Sequence, residues 1–182
     1  MNKLELIEII EKVINKSDLK ANDIPSLDLY MDQIMTLFEE HLQDNKRYQD
    51  DKLLTKTMIN NYSKAGIIKP VKGKKYTKEQ IIGMLLVYNL KNTITIQEIK
   101  RLLTPIYEDN NSLEDIYNQF IEIKNNQNTN IEPFILKIIE SYDLDINKKD
   151  ERLIAVMTLS SLSNQLTSIV QGIIDNYCNE EQ

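Results

Sequence analysis

Leu54-Thr55-Lys56-Thr57-Met58-Ile59-Asn60-Asn61-Tyr62-Ser63-Lys64-Ala65-Gly66 is the stretch on which the reading of the whole chain turns. Thr55 carries a hydroxyl that can accept an orphan amide at a helix start, and Gly66 suits the left-handed backbone that ends a helix. Helical spacing puts Met58, Ile59 and Tyr62 on one side, facing a core. Lys56, Thr57, Asn60, Asn61 and Lys64 are left mostly outward, so the exposed face is basic and carries two adjacent amides. The segment from Ile67 to Tyr76 is not helical, because it holds Pro70 and then Val71-Lys72-Gly73-Lys74-Lys75-Tyr76. That pattern predicts a tight turn at Gly73 between two short extended arms, a small β-hairpin.

Working outward, Thr77-Lys78-Glu79-Gln80 has the form of a capping box and opens a helix through Ile81, Met84, Leu85 and Tyr88 to about Lys91. A second box, Thr95-Ile96-Gln97-Glu98, opens a short helix that Pro105 is expected to stop. Upstream, Leu4, Ile7, Ile10, Val13 and Ile14 recur at helical spacing, and a turn at Asn22 to Ser26 follows. A second helix runs to about Asp44, with Tyr30, Met31, Ile34, Met35, Leu37, Phe38 and Leu42 on its apolar face. Asn45 to Lys52 reads as a polar connection. Downstream, helices are predicted over 112–124 and 131–142, separated by the Asn-rich linker Asn125 to Asn130. A long helix follows from about Lys149 to Cys178, with Leu159, Leu162, Leu166, Ile169 and Ile173 spaced alternately three and four apart. The expectation is a mostly α protein divided into an N-terminal helical extension (1–25), a central module (26–105) and a C-terminal helical region (106–182).

The 182 residues suffice for one domain or two small ones, and 41% apolar with 27% charged residues is a globular balance. The formal charge of −6 hides a segregation. Between Lys46 and Arg101 lie thirteen Lys/Arg and four Asp/Glu, a local +9; the remaining nine bases and 24 acids give −15. A basic window of this kind attracts phosphates, while acidic flanks oppose indiscriminate binding; a merely solvated Lys-rich face is the other reading. No uninterrupted apolar run approaches the ~18 residues of a membrane span. Glu5, Glu8 and Glu11 stand where a leader peptide is basic and apolar, and Cys178 is a single cysteine. The expected setting is cytoplasmic, with no membrane partner.

The central order of elements resembles the DNA-binding domain of the MerR family, a winged helix-turn-helix. The residues that carry the likeness are Ile59, Tyr62, Gly66-Ile67-Ile68-Lys69-Pro70, the basic Lys72-Gly73-Lys74-Lys75-Tyr76, the helix Thr77 to Leu90, and Ile96-Gln97-Glu98-Ile99-Lys100-Arg101-Leu102-Leu103. A wider likeness, through Leu29-Tyr30-Met31-Asp32-Gln33 and Leu54 to Tyr62, is to an uncharacterised bacterial family of MerR-like domains recorded as a domain of unknown function. Where MerR relatives place an Arg and an aromatic near phosphates, this chain has Asn60 and Asn61. The resemblance implies a winged helix-turn-helix with a hairpin wing, entering the major groove as a homodimer.

The residues themselves point to chemistry of the same kind. Asn can pair N6 and N7 of adenine, so Asn60 and Asn61 are candidates for base contact; local capping is their alternative role. Lys56, Lys64, Lys72, Lys74 and Lys75 would grip phosphates and set register, and Thr57 is counted with them among the DNA-binding residues. Tyr62 and Tyr76 are expected to pack rather than stack on bases. His41 lacks a second ligand, the paired acids lack a catalytic partner, and Ser160, Ser161 and Ser163 lack a base, so neither metal, cofactor nor enzymatic chemistry is expected. The functional expectation is a sequence-specific, double-stranded DNA-binding transcription regulator that forms homodimers through the Leu159–Ile173 seam. The alternatives are a protein-interaction module docking on transcription machinery without DNA, and a regulator gated by a small ligand; the seam itself is equally readable as an intramolecular core helix.

Overall fold

The computed structural model describes residues 3–71, 73–109 and 111–178. Among them are seven α-helices and two very short strands, so the fold is mostly α: α1 (Lys3–Ile14), β1 (Leu29–Tyr30), α2 (Met31–Leu42), α3 (Lys56–Lys64), β2 (Lys75–Tyr76), α4 (Lys78–Leu90), α5 (Ile96–Glu108), α6 (Leu113–Ser141) and α7 (Lys149–Tyr177). The chain divides into two units, one made of Ser17–Ile121 with Ile173–Gln182, the other of Met1–Lys16 with Glu122–Gly172.

In the first unit α4 is the central element. Every residue from Gln80 to Val87 is buried, because apolar side chains surround the helix instead of lining one stripe. Ile34, Phe38 and Leu42 of α2, Ile59 and Tyr62 of α3, Ile67 and Ile68 after it, and Ile99 and Leu103 of α5 complete this core. Both predicted capping boxes form. Thr77 Oγ1 accepts from the Gln80 amide at 3.3 Å while Gln80 Oε1 accepts from the Thr77 amide at 2.9 Å. At α5 the Thr95 amide donates to Glu98 Oε2 at 2.7 Å. Hydrogen bonds from Thr95, side chain first and backbone second, hold the Glu98 carboxyl below the ordinary carboxylate range.

Four expectations are corrected by the structure. Among the described residues the strand Lys75–Tyr76 pairs with β1 instead of a preceding arm, antiparallel, with Leu29 opposite Tyr76 and Tyr30 opposite Lys75. A turn with φ +84° at Gly73 is present, yet its partner strand comes from far upstream, something local turn chemistry cannot specify. Tyr30, expected on the apolar face of α2, is exposed and stands at its N-terminus, where its amide donates to Gln33 Oε1 at 2.9 Å. Helix α5 runs through Pro105 to Glu108. An interior proline costs ~3 kcal/mol, but here buried Leu103 precedes it and Tyr107 follows, donating its hydroxyl to the Ile67 carbonyl at 2.9 Å. Packing on both sides outweighs the missing hydrogen bond. Finally, Asn125 to Asn130 is not a linker but part of the continuous α6. Asn is only modestly poorer than Ala in a helix, and in the second unit Asn128 Nδ2 donates to the Ile14 carbonyl at 2.7 Å, fastening α6 to the end of α1.

The second unit is thinly cored: of its described residues Ile10, Ile139 and Ala155 are buried apolar ones. Its α7 is, by length and composition alone, long and apolar enough to cross a membrane, with a mean hydropathy of 1.4 over its most apolar window. The sequence reading missed this because Ser, Thr, Asn and Gln interrupt the apolar residues, so no pure run exists although the average is high.

Candidate nucleic-acid interface

The face of α3 is built by its cap and its core contacts. Thr55 Oγ1 accepts from the Met58 amide at 3.1 Å, fixing the first turn. Ile59 and Tyr62 are buried, and burial also pushes the Tyr62 hydroxyl above its ordinary pKa. Gly66 ends the element with φ +74°, a left-handed conformation that glycine adopts without strain. With the helix rotated this way, Lys56, Thr57, Asn60, Asn61 and Lys64 are all exposed and fall within one arc of its surface. Ser63, at the border of this arc, is half-buried.

Lys74 and Lys75 are exposed as well, while Lys72 lies outside the described residues. The N-terminus of α2 joins the two groups. The Lys75 ammonium sits 5.0 Å from the centroid of the Tyr30 ring, and Lys56 Nζ is ion-paired with Asp32. Tyr30 and Asp32 are two residues apart, so the start of α3 and the strand β2 border the same short segment. Sequence reasoning placed Tyr30 in a core and gave Asp32 no role; separations of 45 and 24 residues leave no local signal for either contact.

Gln80 positions the backbone before the strand. Its Nε2 donates to the carbonyls of Lys69 at 3.0 Å and Pro70 at 2.9 Å while its Oε1 serves the capping box, and it is the buried polar residue of this core. Tyr107 holds the preceding turn through Ile67, and burial with a smaller contribution from the Glu79 charge pushes its hydroxyl up to about 12. Tyr76 is buried, in accord with a packing role.

Part of the basic window is already engaged. Lys69 pairs with Glu79 at 2.9 Å, Lys78 with Glu114 at 2.6 Å, and Lys46 with Glu39. Arg101 turns to the end of α7, donating from Nε to the Cys178 carbonyl at 3.0 Å and from Nη2 to the Ile174 carbonyl at 3.2 Å. Lys46, Lys69, Lys78 and Arg101 are thus held in structural contacts, while Lys56, Lys64, Lys74 and Lys75 lie exposed on α3 and at the neighbouring strand, Lys56 with Asp32 as its partner. His41 Nδ1 lies 3.0 Å from the Leu37 carbonyl within its own helix. No group of three or more metal-ligating side chains occurs among the described residues.

A family model described as a domain of unknown function (DUF1836) matches residues 19–120, the span that contains every one of these side chains except those at the end of α7. No curated protein and no solved structure matches the chain.

Proposed function

The chain belongs to the DUF1836 family, and from that premise we propose that its matched segment binds double-stranded DNA, with α3 as the element that enters the major groove. The observation that carries this reading is the single exposed face of Lys56, Thr57, Asn60, Asn61 and Lys64 on a short helix whose opposite side is locked in the core. Asn60 and Asn61 are the base readers, each able to make a paired contact with adenine. Lys56, Lys64, Lys74 and Lys75 serve as phosphate contacts that set register. The succession of α3, turn, β2, α4 and α5 is the order a MerR-like winged helix-turn-helix needs, with the wing braced on β1 instead of on a hairpin partner. The consequence is a transcription regulator without enzymatic activity, acting in the cytoplasm.

A second reading is favoured by one observation: Asp32 beside Lys56 and Tyr30 beneath Lys75 partly satisfy those cations and give the face an acid and an aromatic. A protein partner from the transcription machinery suits such a mixed face better than a phosphate backbone does.

Selection of genomic fragments by the purified chain, followed by salt titration of the selected site, separates the two. DNA binding predicts one enriched motif and an affinity that falls steeply as salt rises, because each neutralised phosphate releases counterions. In the same assay Lys74→Gln with Lys75→Gln lowers affinity for all sequences and flattens the salt slope, whereas Asn60→Ala costs ~1–3 kcal/mol of discrimination at particular bases. A flat selection profile sinks the DNA reading and leaves the protein module.

A further inference from the structure

At the C-terminal end of α4 lies a polar cavity of about 260 Å³ whose lining brings together three lysines, Lys46, Lys52 and Lys91, with one acid, Asp51. All of these residues belong to the first unit. Bonds within the chain fix the walls. Asn45 Nδ2 donates to the Ser17 carbonyl at 2.8 Å and to the Tyr88 hydroxyl at 3.2 Å, which ties the turn after α2 to α4. Asp51 Oδ2 accepts the amides of Arg47 and Tyr48 at 3.1 and 3.0 Å, so this carboxylate braces its own loop. Lys46 is ion-paired with Glu39.

The groups still open to a ligand are chiefly donors. Lys52 has no ion pair or hydrogen bond among the described residues. Lys91 Nζ meets the Asn92 Oδ1 at 3.3 Å and stands 5.9 Å from the centroid of the Tyr88 ring, and neither contact supplies a charge. Asn92 spends its oxygen on that bond and keeps Nδ2 to donate. The Tyr88 hydroxyl accepts from Asn45 and keeps a proton to give. Burial raises its pKa, with the Asn45 bond opposing and the Asp18 charge adding, so that proton stays in place. Two ammonium groups without a carboxylate partner at one small cavity repel each other, and a bound anion removes that cost. Lys91 also answers the partial negative charge at the end of α4; Lys52, in a loop, has no such role.

We propose that this cavity binds a phosphate group, with Lys52 and Lys91 as the charged contacts and Tyr88 and Asn92 as neutral donors. A phosphate on a monoester carries close to two negative charges and three strong acceptor oxygens. A carboxylate presents two oxygens in one plane, whereas a phosphate presents them in several directions, which suits donors from the loop before α3 and from the end of α4. The cavity is smaller than the ~300–1,000 Å³ of drug-sized pockets. It therefore takes a small phosphomonoester, or one phosphate of a larger molecule.

The inference does not use the outward face of α3 and is tested first without DNA. Amide chemical shifts of the full chain are followed as inorganic phosphate or glycerol 3-phosphate is added, with glycerol and ionic-strength-matched sodium chloride as blanks. One saturable response confined to residues 45–53 and 88–92 is expected. Lys52→Gln with Lys91→Gln is expected to weaken it at least ~10-fold, because two charge-assisted contacts are lost. Lys52→Arg with Lys91→Arg is expected to retain binding, and thermal melts without phosphate show whether each variant folds. Lys137→Gln with Lys149→Gln removes as much charge from the other unit and is expected to change nothing. A DNA backbone is the other source of phosphate, so a short duplex of random sequence is titrated in parallel. Duplex affinity lowered by the Lys52 and Lys91 change, without a response to the free anions, assigns the cavity to backbone phosphate. Absence of duplex binding in the wild type counts against the DNA-binding reading alone when the free anions bind. The inference is overturned if neither free anion gives a saturable response and duplex binding is absent or unmoved by the Lys52 and Lys91 change. It is overturned equally if the Lys137 and Lys149 change abolishes the response.

Discussion

Helices α4 and α7 both carry long stretches without a charged side chain, and they end in opposite circumstances. In α4 eight consecutive residues are buried, and even Gln80 is drawn inside because it bonds the backbone of Lys69 and Pro70. In α7, more than twice as long, Ala155 and Ile174 are the buried residues among those described. Leu85 and Leu166 are chemically the same side chain in the same kind of element. What separates them is cover: Leu85 is 1% exposed and Leu166 is 56% exposed. Apolar content measures how strongly a helix seeks cover; the supply of cover is a property of the assembled fold.

That contrast has consequences of decreasing size. Leu85→Ala should destabilise the chain by about 2–5 kcal/mol, since a fully buried leucine leaves a cavity that its neighbours fill only in part. Chemical denaturation should show this loss at every protein concentration. Leu166→Ala, in contrast, should cost about 0.5 kcal/mol or less, because its side chain is exposed. A large cost at Leu166 would break the comparison.

Gln80→Ala comes next, at about 1–3 kcal/mol, because it strands the carbonyls of Lys69 and Pro70 and the Thr77 amide. Amide hydrogen exchange should localise the damage to the segment leading into β2 and the first turn of α4, leaving α7 untouched. Uniform acceleration across the chain would mean that Gln80 is an ordinary core residue and not a brace.

The smallest effect belongs to Tyr107→Phe, about 1 kcal/mol for the bond to Ile67, and it has a pH signature. The unfolded chain releases the Tyr107 proton near 10.0, while the folded chain keeps it until about 12. Its contribution is therefore complete below pH 10.0 and is lost as pH rises toward about 12. Thermal melts across that range should decline more gently in the variant; an unchanged slope would remove Tyr107 from the forces that hold the turn.

Much of the candidate surface was legible in a short window because it depends on neighbours in sequence. Thr55, Ile59, Tyr62 and Gly66 set the bounds and rotation of α3, and that rotation exposes Lys56, Asn60, Asn61 and Lys64. Thr77 with Gln80 and Thr95 with Glu98 announced two helix starts for the same reason. Legibility failed where distant segments meet. The partner of Lys75 is Tyr30, the partner of Lys56 is Asp32, and the second role of Gln80 lies on the loop before it. Pro105 and the Asn-rich stretch misled in the opposite sense: their local preferences are real, but they amount to a few kcal/mol at most and yield to packing.

Residue order alone was enough to establish the helical class of the chain, the capped starts of α3, α4 and α5, and the separation of a basic window from acidic flanks, since each arises from interactions spanning a few residues or from plain charge counting. Only the folded arrangement decided that β2 pairs with β1, that α5 and α6 run on through their prolines, that several lysines are committed to internal acids, and that Leu166, Ile169 and Ile173 of α7 are exposed. Those outcomes depend on which surfaces are brought together, and long-range packing free energies exceed the local preferences that a linear reading can weigh.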